Sequence, residues 1–206
     1  MKFLFIAAAF FLPSFAQGVL EGTRGDDTIS CSKDGEMVIA RAGNDVITVN
    51  ANRNEVYGGP GIDFITIVGD DNMVDGGKND DVITVTGNNN EVTGGFGDDK
   101  ITVLSGFNNI LNSNRRGKVI FNIAFSQFGR QSADQVKIMG LKPADTVSLE
   151  GFSCKAGLTG TVEVRDDKID VLFNGFPRPK TIAKFMTRGK FTPTVEDLPP
   201  CLSQAS

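Results

Sequence analysis

GGFGDDKITV, residues 94–103, places three glycines and two adjacent aspartates in its first six positions and then turns apolar. Neighbouring like charges destabilise a turn, so something outside this stretch must compensate them. The same nine-residue pattern recurs as GTRGDDTIS from Gly22, ARAGNDVIT from Ala40, GGPGIDFIT from Gly58, GGKNDDVIT from Gly76 and GGFGDDKIT from Gly94. Its sixth position is Asp27, Asp45, Asp63, Asp81 and Asp99, a constant step of 18 residues, and its eighth is isoleucine every time. A strict period of this length is the mark of a stacked architecture, because a unit so small cannot bury its apolar face alone.

The remaining nine residues of each period repeat as well. Val38, Val56, Val74, Val92 and Ile110 fall in one column, and Asn54, Asn72, Asn90 and Asn108 in another, two positions earlier. Each period therefore holds two short strands and two turns. Side chains alternate sides along a strand, which gives one inward column of Ile29, Ile47, Ile65, Ile83 and Ile101 and a second of Cys31, Val49, Ile67, Val85 and Val103. A core two residues wide per strand needs stacked neighbours. The spacing predicts an all-β chain: a right-handed parallel β-solenoid of about five 18-residue coils over residues 17–112.

Stacking explains the charges. Carboxylates 18 residues apart lie one coil apart on one edge, where like charges oppose each other, so the column calls for a cation between coils. Ca²⁺ suits it, taking six to eight carboxylate and carbonyl oxygens in irregular geometry. Glycine lets the turn adopt positive φ and aim its carbonyls. Mg²⁺ demands a stricter octahedron, and zinc is poorly served by a chain with no histidine and no cysteine pair at ligand spacing.

These residues resemble the hemolysin-type, or RTX, calcium-binding nonapeptide GGxGxDxUx, which GGPGIDFIT and GGFGDDKIT match in full. The resemblance covers roughly residues 22–112. It implies a parallel β-roll with Ca²⁺ between successive turns, the carboxylate ligands being Asp27, Asp45, Asp63, Asp81 and Asp99, with Gly58, Gly61, Gly76, Gly94 and Gly97 shaping the loops. Only alternate nonapeptides keep the signature here. The intervening turns, NANRNEV, GDDNMVD and GNNNEVT, carry Asn in the Asp position, which predicts calcium on one edge and a ladder of amide hydrogen bonds on the other. Ala40-Arg41 replaces the leading Gly pair of the second turn, and Asn79 replaces a glycine in the fourth. At most four inter-coil sites follow from five turns.

Residues 113–206 are not repetitive. KVIFNIAF, QVKIMGL, TVSLEGF and GTVEVRDDKIDVLF read as β segments, the last with Asp166-Asp167 as a hairpin turn. They are expected to form a β-rich cap over the open end of the solenoid, and ADQVKIMGLKPADTVSLEGF resembles the segment that closes RTX rolls. Of three cysteines, Cys31 falls in an inward column, which leaves Cys154 and Cys201 as the expected disulfide pinning the tail; pairing of Cys31 with either would need the cap to fold back.

The chain opens with Lys2, the apolar run FLFIAAAFFL and Ser14-Phe15-Ala16, a signal-peptide pattern over residues 1–16 that predicts export. The run is too short to span a bilayer. Residues 22–112 carry 15 acidic and 6 basic side chains, a net of −9, and 113–206 carry 9 and 14, a net of +5. An acidic front half repels nucleic acid. With no histidine and no GxSxG, nucleophilic catalysis has no support; Asp70-Asp71 and Asp80-Asp81 are acidic pairs, but the Asp clusters are explained as ligands, and no catalytic residues are expected. A different function would use the flat face, where Ser30, Thr48, Thr66, Thr84 and Thr102 form an outward ladder similar to that of ice-binding solenoids. Its flanking columns, Val46, Phe64, Val82, Lys100 and Asn50, Val68, Thr86, Leu104, are too irregular for a lattice match, and the outward Val46, Phe64, Val82 and Val68 suit docking against the cap, a second copy or an extracellular partner or surface.

Overall fold

Alternation of apolar and polar residues puts two short strands into every coil. The computed structural model describes residues 18–113, 116–124, 136–142, 144–150, 159–165, 168–174, 180–187 and 202–204. The coils supply β1 (Val19–Glu21) and β2 (Thr28–Cys31), β3 (Met37–Ile39) and β4 (Val46–Val49), β5 (Glu55–Pro60) and β6 (Phe64–Val68), β7 (Met73–Lys78) and β8 (Val82–Thr86), β9 (Glu91–Phe96) and β10 (Asp99–Ser105). The odd strands pair in parallel to form one sheet and the even strands another. The chain is an all-β parallel solenoid of about six turns.

In β6 the alternation is complete: Phe64, Thr66 and Val68 are exposed, whereas Ile65 and Ile67 are buried. Register does not drift, since Ile47 lies beside Ile65, Ile65 beside Ile83 and Ile83 beside Ile101. Val38, Val56, Val74 and Val92 close the core from the opposite sheet. Each fully buried Ile or Val contributes about 1.5–3 kcal/mol, and identical shapes one strand spacing apart pack alike in every coil. Cys31 is buried among them as a free thiol.

The period breaks once inside the repeats, which corrects three of the expected columns. Ser105, not Leu104, lies beside Thr86, with a register shift between Val103 and Ser105. Leu104 is the extra residue of a β-bulge, so every later position moves by one. In β11 (Asn109–Asn112), Leu111 rather than Ile110 pairs with Val92 and is buried. Asn109 likewise takes the column place expected of Asn108, which instead sits at φ 58° in the turn.

The ladders continue past residue 112. β12 (Val119–Ala124), β13 (Val136–Leu141) and β14 (Thr146–Glu150) extend both sheets in the same parallel sense. Phe121 and then Val147 follow Ile101 in the inward column, so the core outlasts the motif. β15 (Thr159–Arg165), β16 (Lys168–Asn174), β17 (Lys180–Thr187) and β18 (Leu202–Gln204) finish the odd-strand sheet. β17 pairs in parallel with β13, while β16 runs antiparallel to both β17 and β15. Arg165 pairs with Lys168 at the end of the β15–β16 ladder, and the Asp166-Asp167 turn expected between them lies outside the described residues. The segment 1–16, Cys154 and Cys201 lie outside the described residues.

Candidate metal centre

The two edges of the solenoid are built to one plan with different side chains. On one edge the backbone N–H of each column aspartate donates to the next carboxylate: Asp27 to Asp45 Oδ1 (2.7 Å), Asp45 to Asp63, Asp63 to Asp81 and Asp81 to Asp99 (each 2.8 Å). Asp45, Asp63, Asp81 and Asp99 are at most 1% exposed. One oxygen of each is thereby satisfied. The other oxygen, Oδ2, is buried without a hydrogen-bond partner in Asp45, Asp63 and Asp81.

The opposite edge shows what a self-sufficient version looks like. Asn54 N–H donates to Asn72 Oδ1, Asn72 N–H to Asn90 Oδ1 and Asn90 N–H to Asn109 Oδ1, each at 2.9 Å. The amide nitrogens then supply the second bond: Nδ2 of Asn72 to Ala51 O (3.1 Å), of Asn90 to Gly69 O (3.0 Å) and of Asn109 to Gly87 O (2.9 Å). This is the expected amide ladder. Asn54 Nδ2 alone among these is unpaired; the carbonyl at the same offset, Lys33 O, receives the Cys31 thiol. Asparagine brings its own donor to the turn, whereas aspartate brings only another acceptor.

Burial without a donor raises the carboxyl pKa values. Desolvation pushes Asp63 up to about 6 and Asp81 up to about 8, against the lowering effect of the preceding N–H and with neighbouring carboxylates adding to the rise. Asp45 is raised for the same first reason. Two charges one strand spacing apart repel by about 3 kcal/mol at an effective dielectric of about 20. These carboxylates need either protons or a cation.

The space beside them fits a cation held by oxygen. A methyl placed on Gly58 would run into both Asp63 Oδ2 and the Gly76 carbonyl, and one on Gly76 into Asp81 Oδ2 and the Gly94 carbonyl. Carboxylate and carbonyl oxygens of consecutive coils therefore converge on a bare Cα. Gly61 and Gly97 hold φ of 145° and 144°, and Asn79 takes the equivalent position at 76°, in keeping with its tolerance of left-handed backbone. No three Asp, Glu or Cys side chains converge among the described residues, so most of a metal's ligands would be carbonyls, the donor set Ca²⁺ accepts.

Not every predicted position is alike. Asp27 is only half-buried, and its Oδ2 accepts from Thr23 N (2.6 Å) and Thr23 Oγ1 (2.9 Å) within its own turn. Ala40 puts a buried methyl where the third to fifth turns keep a bare Cα, and Arg41 beside it is forced to φ 77°. Asp70, from one acidic pair, belongs to the other edge and accepts from Asn88 N (2.7 Å). Thr48, Thr66, Thr84 and Thr102 stand side by side on the outer face of the even-strand sheet. Phe64, Val46 and Val68 beside them are about half exposed.

One column member lies beyond the repeats. Val119 N donates to Asp145 Oδ1 (3.0 Å), the bond that links the earlier aspartates. Asp145 precedes TVSL as Asp81 precedes VITV, a signal legible as Asp-x-apolar-x-apolar with Gly140 the one glycine kept before it.

Residues 34–65 and 68–110 match the family model of the RTX calcium-binding nonapeptide repeat, in four copies. Over those residues the coils match RTX repeats. RTX repeats bind Ca²⁺ between turns, the family is typically structural rather than catalytic, and its proteins are typically secreted. No curated protein and no solved structure matches the chain. The RTX match takes in Asp45, Asp63 and Asp81, whose Oδ2 atoms lack partners, and leaves out Asp27 and Asp145, whose carboxylates the protein satisfies itself.

Proposed function

We propose that this protein is a secreted, non-enzymatic calcium-binding β-roll in which Ca²⁺ on the aspartate edge drives folding. The observation that carries the reading is the contrast between edges: amide donors complete the turns of Asn72, Asn90 and Asn109, while Asp45, Asp63 and Asp81 keep a buried acceptor with no donor. Their Oδ2 atoms, with that of Asp99 and the turn carbonyls, are the proposed ligands, and Gly58, Gly61, Gly76, Gly94 and Gly97 leave room for them. Asp27 is the weakest member of the set because Thr23 already serves it. Export is supported by the signal-peptide pattern of residues 1–16, and extracellular calcium reaches the affinity range of such modules.

Calorimetric titration of the metal-stripped chain with calcium, magnesium serving as control, tests this. Calcium-selective binding at three to four sites is expected, since five turns leave at most four gaps. Equal binding of both ions, or none, contradicts it.

A second reading is favoured by the in-register threonines and the half-exposed Phe64, Val46 and Val68: adhesion or ligand or ice binding through the flat face. A mass that rises with concentration would point to self-association through this face. A constant mass with retention on a carbohydrate or ice surface would point to an external ligand.

A further inference from the structure

Asp145 occupies the aspartate column, yet its surroundings differ from those of Asp45, Asp63 and Asp81. Its side chain is fully buried. Oδ1 accepts the column bond from Val119 N, and Oδ2 accepts from Lys142 N (2.8 Å) and Ser113 Oγ (2.5 Å). The Lys142 ammonium lies across the gap between coils, donating to the Gly117 carbonyl (2.6 Å) with Asp145 Oδ1 3.8 Å away. Gly117 stacks directly on the Gly97 carbonyl, so it is the fourth residue of the next turn.

We propose that Lys142 is the protein's own cation at the last rung, so that the coil closed by Asp145 forms without the metal that the coils of Asp45, Asp63 and Asp81 need. It rests on the calcium reading above. The ammonium joins the two kinds of group that Ca²⁺ would join, a column carboxylate and a turn carbonyl of the neighbouring coil, and supplies positive charge where burial would otherwise disfavour the carboxylate. Lysine alone at this place in the turn is not enough: Lys78 holds the corresponding third position and is exposed. At the other end Thr23 donates to Asp27 Oδ2. Both ends of the column thus carry protein donors, and the three orphaned oxygens lie between them.

Hydrogen exchange on the full chain, with chelator and with calcium, tests the assignment in the wild type and in Lys142→Met. In chelator the wild-type amides of β12 and β14 should be protected by about tenfold or more over those of β4, β6 and β8, which gain protection only with calcium. In Lys142→Met the protection of β12 and β14 should vanish in chelator and return with calcium, one more ion being bound. The proposal is overturned if wild-type β12 and β14 lose protection in chelator along with β4 to β8. It is also overturned if Lys142→Met leaves them protected in chelator, or unprotected even with calcium. Should calcium leave β4, β6 and β8 unchanged in the wild type, the calcium reading itself fails.

Discussion

At the scale of the residue, the two edges differ by one group: an amide where the other has a carboxylate oxygen. Asp81→Asn is therefore predicted to act in opposite directions according to the metal. In chelator it gives the buried acceptor pocket a donor and should stabilise the fold by about 1–3 kcal/mol, the cost of an unsatisfied buried group. With saturating calcium it removes a charged ligand and should destabilise, with one ion fewer bound. The β signal recovered in chelator and the urea midpoint with saturating calcium read the two signs. The mirror change, Asn90→Asp, loses the bonds to Gly69 O and Asn109 Oδ1 and should destabilise by about 1–3 kcal/mol whether or not calcium is present.

The same buried carboxyls set the pH response of the metal-free chain. Burial raises Asp63 to about 6 and Asp81 to about 8 from the ordinary 3.8, so the fold holds protons that the unfolded chain has released. Stability from this source is complete below the ordinary value and is lost as pH rises through the folded values. The urea midpoint in chelator should fall between pH about 4 and about 8, and calcium should flatten that fall. A midpoint that climbs over the same range in chelator would mean that these groups are not buried as carboxylic acids.

At the scale of the element, register carries the structure. A one-residue slip turns every side chain of a strand to the other face, and the chain meets one at Leu104, which the bulge absorbs. Deleting Leu104 restores the 18-residue step and should leave the calcium-bound circular dichroism intact. Deleting Thr84 from the middle of β8 should abolish the calcium-bound circular dichroism, since Ile83 and Val85 cannot then both face inward. The repeat part was legible because each column was checked four or five times by the sequence itself. The Leu104 bulge escaped that check: in LSGFNNIL both Asn108 and Asn109, and both Ile110 and Leu111, could fill the column, and a fixed step chose the wrong member of each pair. Asp145 escaped it for another reason, since the turn before it keeps only the first of the motif's glycines, Gly140, and the spacing from Val119 has grown to 26 residues. Only the three-dimensional stack returns it to the column.

At the scale of the whole molecule, charge and core are separated along the chain. The repeat half carries a net −9 and a core of Ile and Val two residues wide; the part that follows carries +5 and continues the core with Phe121 and Val147. A cation on the aspartate edge therefore offsets both the local orphaned oxygens and the overall repulsion of the acidic half. Salt screens the second effect but does not replace the first, because buried groups are poorly screened. Raising sodium chloride in chelator should accordingly recover only part of the β structure that calcium induces.

The most direct measurement of the central claim is far-UV circular dichroism of the metal-stripped chain during calcium titration, with magnesium as control. A cooperative gain of β signal with calcium alone is the predicted result. A chain already fully folded in chelator and unmoved by calcium would contradict the account, because the buried oxygens of Asp45, Asp63 and Asp81 would then need no metal.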